Sequence, residues 1–276
     1  MKLATIATAN GNRAVRVDAN DVVETGHSDV GALLANDNWV ELGAQASGPS
    51  TALARVTFAP LIPRPAKIIC IGLNYRNHIL EMGRGLPEFP TLFAKYPEAL
   101  IAQGATIELG PESTAWDWEA ELAIVIGRQV RRANMDAATT AIAGFSVIND
   151  ITARDYQNRT LQWLSGKTWE NTAPFGPTMS TIDELPGGVR PSMRMTCSVN
   201  GEIVQDTNTG DLVFDPVALV QYISTILTLN PGDVIASGTP GGVGHARTPP
   251  RYLHDSDIVV TEIEGLGRLT NECRLV

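Results

Sequence analysis

The sequence predicts a β-rich α+β domain, and three observations lead there. Apolar runs of strand length dominate the chain beyond residue 65. One helix in that region is strongly signalled. Strands and helices do not alternate regularly and no GxGxxG occurs, which disfavours a doubly wound nucleotide fold.

Residues 1–64 read as a small N-terminal unit. The runs KLATIATA and RAVRVDA alternate as strands around the turn signal NGN. DVGALLAN reads as a short helix with Ser28 as its N-cap. APLIPRP holds three prolines, fits neither a helix interior nor a central strand, and reads as the link to a main domain over 65–276. There, KIICIG, TLFAKY, AELAIVIG, GFSVIND, RMTCSVNG, DVIASG and DIVVTEIEG are the predicted strands. Asn200-Gly201 signals a hairpin. Asp215 caps the main helix, Pro216 fits its first position, and Val217, Val220, Ile223 and Leu227 form its apolar face, with Asn230-Pro231-Gly232 as the stop.

Bulk properties narrow the function. The chain has 276 residues, 43% of them hydrophobic, and a net charge of -9 with no basic cluster, so a nucleic-acid partner is not expected. The N-terminus lacks the long apolar core of a secretory signal, and no apolar run reaches the length of a membrane span. Cys70, Cys197 and Cys273 are widely spaced with no CxxC, which fits reduced thiols in a cytoplasmic protein. Four histidines without HExxH do not suit a zinc hydrolase of that motif.

The chemistry concentrates in WDWEAELAIVIG. Glu119 and Glu121 stand two apart, on one face of a strand, next to a run without alternation that implies burial on both faces. Two ionised carboxylates side by side at the edge of a core demand either a proton or a cation. Asp150, at the end of GFSVIND, adds a third acidic oxygen donor, a set suited to a hard divalent ion such as Mg²⁺ or Mn²⁺, with Ca²⁺ also accepted.

DWEAELAIVIGR, NDITARDYQ and GKTWENTAPFGP, with IGLNYRNHILEMG before them and GDVIASGTPGGVG and TPPRYL after, resemble the fumarylacetoacetate hydrolase superfamily from about Lys67 to the C-terminus. The resemblance implies a mixed β-sandwich roll with a small N-terminal lobe, and a homodimer. It implies metal ligation by Glu119, Glu121 and Asp150. It implies catalytic roles for His78, Glu81 and Lys167, and substrate contacts from Arg154, Gln157 and Thr239. Lys95 in LFAKY is a further candidate for substrate contact. Trp169 stands where the family often has Phe and is expected to alter the pocket's shape.

The implied activity is divalent-metal-dependent hydrolysis of a C–C bond in a 2,4-dioxo acid, an acylpyruvate such as fumarylpyruvate. The ion acts there as a Lewis acid for the enolate left when C3–C4 breaks. His78 and Glu81 lie one helical turn apart, so Glu81 can orient an imidazole that activates water. Lys167 suits oxyanion stabilisation or proton delivery, and Arg154 offers a planar fork to a carboxylate. Gly83, Gly85 and Pro87 suit a lid over the substrate. Decarboxylation of an oxaloacetate-type substrate and isomerisation of a 2-hydroxy-diene dioate use the same metal site and remain open. A non-catalytic binding protein is disfavoured, because the full residue set is present.

Overall fold

The strand Ala120–Ile126 is the spine of the molecule, and every one of its residues is buried. It pairs antiparallel with Ile142–Asn149 on one side and Val234–Ala236 on the other. Leu122, Ile124 and Ile126 enter one hydrophobic core, while Ala123 and Val125 enter a second on the opposite face. The missing alternation in LAIVIG is thus a strand covered on both sides.

This is a computed structural model that describes residues 1–81, 83 and 85–276, with the side chain of Glu81 outside that description. Among the described residues, a twelve-stranded mixed sheet runs from Ser50–Ala52 at one edge to Thr91–Lys95 at the other. A five-stranded sheet, built on Arg194–Val199, Ile258–Ile263 and Gly267–Leu275, covers its first face together with the helix Pro216–Ile226. Segment 1–64 extends the large sheet: Lys2–Thr8 pairs with Ala173–Thr181, and Leu3, Ala14, Val30, Leu33 and Leu34 share the second core with Ala123 and Val125. The β-rich α+β architecture read from the sequence is the one present.

Local details depart from the sequence reading at three places. The N-cap of the helix Val30–Leu34 is Asp29, not Ser28: the Asp29 carboxylate accepts from the Ala32 N–H at 2.9 Å, while the Ser28 hydroxyl donates to the same carboxylate. The main helix is capped by Asp215 with Pro216 following, as the sequence implies, but it ends at Ile226, and Leu227 is already extended. Asn230-Pro231-Gly232 instead turns the chain into the next strand, its Asn230 N–H held by Asp233 at 2.7 Å. The third is Ala173–Thr181, a nine-residue strand within a segment that reads as loop. Pro174 and Pro177 argue against a strand, yet the pairing with Ile142–Asn149 shifts register between Phe145 and Val147, next to Gly176. A bulge accommodates a residue that donates no ladder hydrogen bond. At the predicted hairpin, Asn200 and Gly201 take φ of 52° and 82°, the left-handed pair of a two-residue turn.

Because Ile124 is fully buried in the first core, Ile124→Ala is expected to lower unfolding free energy by about 2–5 kcal/mol. Urea denaturation measures this. A loss near zero means that the spine is not packed as described.

Candidate active site

Three carboxylates meet where the spine begins. Asp150 follows Ile142–Asn149 directly, and its N–H donates to the Glu119 carbonyl at 2.8 Å, which locks the two chain segments together. Asn149 clamps the same junction, accepting from the Glu119 N–H at 2.9 Å and donating to the Thr261 hydroxyl at 2.8 Å. Glu119, Glu121 and Asp150 each place a carboxylate oxygen within 4.8 Å of the others, and all three are buried. Gly238, at φ +99°, brings its N–H to 2.8 Å from Glu121; a Cβ there would stand 2.8 Å from the Ile71 carbonyl.

Cations hold the cluster together. The Lys167 ammonium lies 2.5 Å from Glu119 and 3.0 Å from Asp150, while Lys95 lies 2.8 Å from the other Asp150 oxygen and also donates to the Lys167 carbonyl. Arg154 contacts Glu119 at 2.7 Å and Asp117 at 2.8 Å. Lys167 is placed by the short helix Leu164–Lys167. Gly166 lets this helix press on Gln157, since a Cβ there would meet the Gln157 backbone nitrogen at 2.6 Å.

The charge states follow from these contacts. Burial works against the Lys167 ammonium, but Asp150 and Glu119 outweigh it and raise its pKa, so the group stays protonated. Burial likewise opposes the Asp150 anion, and Lys167 and Lys95 more than offset it. Glu121 goes the other way. Burial and the repulsion of Asp150 and Glu119 hold its carboxyl well above the ordinary range, despite Lys167 and the Gly238 N–H. A divalent cation answers that imbalance directly, and three buried oxygen donors suit a hard ion. The residues therefore fit the group that the sequence implied.

A cavity of about 220 Å³ opens onto this cluster, walled by His78, Glu119, Arg154, Gln157, Lys167 and Thr239 among others. A larger one, of about 440 Å³ near Met1, Trp39 and Thr139, lies away from the carboxylates and cations. His78 sits on the helix Arg76–Glu81, which is anchored through Asn74: its amide donates to the Phe214 and Ser237 carbonyls at 3.1 and 2.9 Å. Glu81 ends that helix, but its side chain lies outside the described residues. Arg154 and Gln157 share a helical turn and bond at 2.9 Å. Thr239 donates to the Ala120 carbonyl at 3.0 Å and accepts from Gln205 at 2.9 Å.

Two expectations change. Lys95 does not line the cavity; it is buried behind it, against Asp150. Trp169 packs edge-on against Trp116 and Tyr156, with ring centroids 5.1 and 4.9 Å away, and the aromatic wall of the cavity is Phe93 and Trp163 instead. Sequence reasoning passed over Asp117 and Gln205. Asp117 had a signal, because period two carries the face of Glu119 and Glu121 back to position 117. Gln205 had none: its strand pairs far from the spine in sequence, yet its side-chain amide oxygen accepts from the Ala120 N–H at 3.0 Å.

The family model described as fumarylacetoacetate (FAA) hydrolase C-terminal matches residues 67–274. A mitochondrial oxaloacetate tautomerase of Rattus norvegicus is 40% identical over 220 residues, spanning 79% of this chain and 70% of the relative. A mitochondrial oxaloacetate tautomerase of Homo sapiens is 39% identical over 221 residues, with the same shares covered. Among solved structures, a fumarylacetoacetate hydrolase from psychrophilic Exiguobacterium antarcticum superposes with a TM-score of 0.89 at 30% identity, covering all of both chains. A 5-carboxymethyl-2-hydroxymuconate delta-isomerase from Mycobacterium smegmatis gives 0.84 at 31%, also covering all of both.

In metal-free protein, Glu121 keeps a proton in the folded state that the unfolded chain releases. Its stabilising effect is complete below about pH 4.5 and is lost as pH rises through the higher folded value. Glu121→Gln is expected to flatten this part of the stability–pH curve, followed by urea denaturation in chelator. Equal slopes in variant and wild type contradict the assignment.

Proposed function

The chain belongs to the fumarylacetoacetate hydrolase family, and from that premise we propose that it moves a proton at C3 of a small 2-oxo acid carrying a second acidic group, with oxaloacetate the first candidate. The observation that carries the reading is the company kept in one cavity of about 220 Å³: His78, the Lys167 ammonium and the Arg154 guanidinium, at the edge of the carboxylate cluster. A four-carbon diacid suits that space. The named activity of the similar tautomerases supports the choice of substrate.

When bound at Glu119, Glu121 and Asp150, a divalent ion, Mg²⁺ or Mn²⁺, supplies Lewis-acid polarisation of the 2-oxo group. Lys167 stays protonated and offers an N–H to that oxygen. Among the described residues His78 is the one imidazole on the cavity wall, and it takes or returns the C3 proton. Gln157, tied to Arg154, restricts how the distal acid group can lie. A second reading, hydrolysis of an acylpyruvate, needs the same wall and draws on His78 as the base for an attacking water. Loss of CO₂ from oxaloacetate needs no such base. The homodimer, the small-molecule partner and the cytoplasmic location belong to the same proposal and rest on family likeness and composition. Among the described residues no helix is long and apolar enough to cross a membrane.

The test is a panel with Mn²⁺ or Mg²⁺, following decay of the oxaloacetate enol absorbance, pyruvate release, and cleavage of acylpyruvates. Metal-dependent enol decay faster than cleavage is expected. Cleavage without any effect on the enol selects the second reading, and turnover that survives chelator contradicts both. Glu121→Ala is expected to abolish metal binding and turnover together. For His78→Ala, proton transfer is expected to fall about 100-fold or more, the usual scale of general acid–base catalysis, with metal affinity unchanged.

A further inference from the structure

Asp117 is fully buried, yet it is neither in the carboxylate cluster nor on the cavity wall. Its two oxygens are fully engaged. Oδ1 accepts from the Gly244 N–H at 2.6 Å and the Trp118 N–H at 2.9 Å. Oδ2 accepts from Arg154 Nε at 2.8 Å and the His245 N–H at 3.0 Å. The backbone reinforces the link: Asp117 pairs with Thr152, and the Arg154 N–H donates to the Ala115 carbonyl at 2.9 Å. One carboxylate thus joins the strand Trp116–Asp117 to the backbone at Gly244 and His245 and to Arg154.

The consequence is read at the other end of the guanidinium. Nε is held by Asp117, and Nη1 by Glu119 at 2.7 Å and Gln157 at 2.9 Å. Nη2 is buried and has no hydrogen-bond partner among the described residues. A charged donor left bare in the interior is costly, and because Arg154 belongs to the cavity lining, an anion that reaches Nη2 removes that cost. The two-pronged carboxylate fork expected from sequence is therefore already occupied on one side, and the remaining grip is end-on through Nη2.

We propose that Asp117 is a positioning residue, which fixes Arg154 in the cavity lining so that its unpartnered Nη2 is the donor left for the distal carboxylate of the substrate. This rests on reading the cavity as a 2-oxo acid site. Asp117 touches no substrate itself. It sets the angle of the guanidinium and shares its charge with Glu119.

The experiment compares two probes on Mn²⁺-loaded protein by calorimetry. Oxalate carries only a chelating pair of carboxylates, whereas 3,3-difluorooxaloacetate adds the distal carboxylate and cannot enolise. Asp117→Asn keeps the shape and removes the charge. It is expected to cost roughly 10-fold or more in affinity for difluorooxaloacetate, the scale of a lost hydrogen bond to a charged group, and to leave oxalate within about 2-fold. Equal losses on both probes, or none on either, overturn the proposal. Should the variant fail to fold, the wild-type Arg154 Nε–H resonance decides: slow hydrogen exchange supports the lock, and exchange as fast as an exposed arginine's overturns it. Wild type that binds difluorooxaloacetate no tighter than oxalate also overturns it, with the tautomerase reading untouched. Tight, Asp117-dependent binding without turnover of any 2-oxo acid leaves this inference standing and defeats that reading.

Discussion

The Lys167 ammonium, wedged between Glu119 and Asp150, is the contact on which the site depends. Isolated carboxylates do not stay ionised in an interior; they need a cation or a proton. Here four carboxylates, Asp117, Glu119, Glu121 and Asp150, meet three cations, Lys95, Lys167 and Arg154, and the shortfall falls on Glu121. That imbalance makes the cluster a place for a divalent ion rather than a set of closed ion pairs.

Such an arrangement needs a stiff frame. The spine strand is hydrogen-bonded on both edges and packed on both faces, so Glu121 has little freedom to relax away from its neighbours. Asp150 and Glu119 flank the paired ends of two antiparallel strands and are joined through the backbone. Lys167 and Arg154 arrive on short helices whose approach depends on Gly166. The helix bearing His78 borders the cavity from outside this frame. In the proposed reaction, His78 thus acts from a different helix than Arg154 and Lys167.

Much of this was legible in the sequence, and the reason is physical. Glu119, Glu121 and Asp150 announce themselves because carboxylates beside an unbroken apolar run conflict with burial unless something compensates them. Lys167 and Arg154 came from motif order, not from any local rule, since a lone lysine or arginine ordinarily reads as surface. The positions of Lys95 and Trp169 were hidden for a related reason: nothing in LFAKY or KTWEN tells which side of a wall a side chain occupies. The strand Ala173–Thr181 hid behind its prolines, because a bulge in its partner is invisible in one dimension. Asp117 was readable by periodicity, but its importance lies in a contact with a residue 37 positions away.

The most direct test of the charge account is the anomalous signal of crystals grown with Mn²⁺. The account predicts one ion per chain, bound by oxygens of Glu119, Glu121 and Asp150, with Lys167 still beside the cluster. An ion bound elsewhere, or none at a concentration that supports turnover, would contradict it.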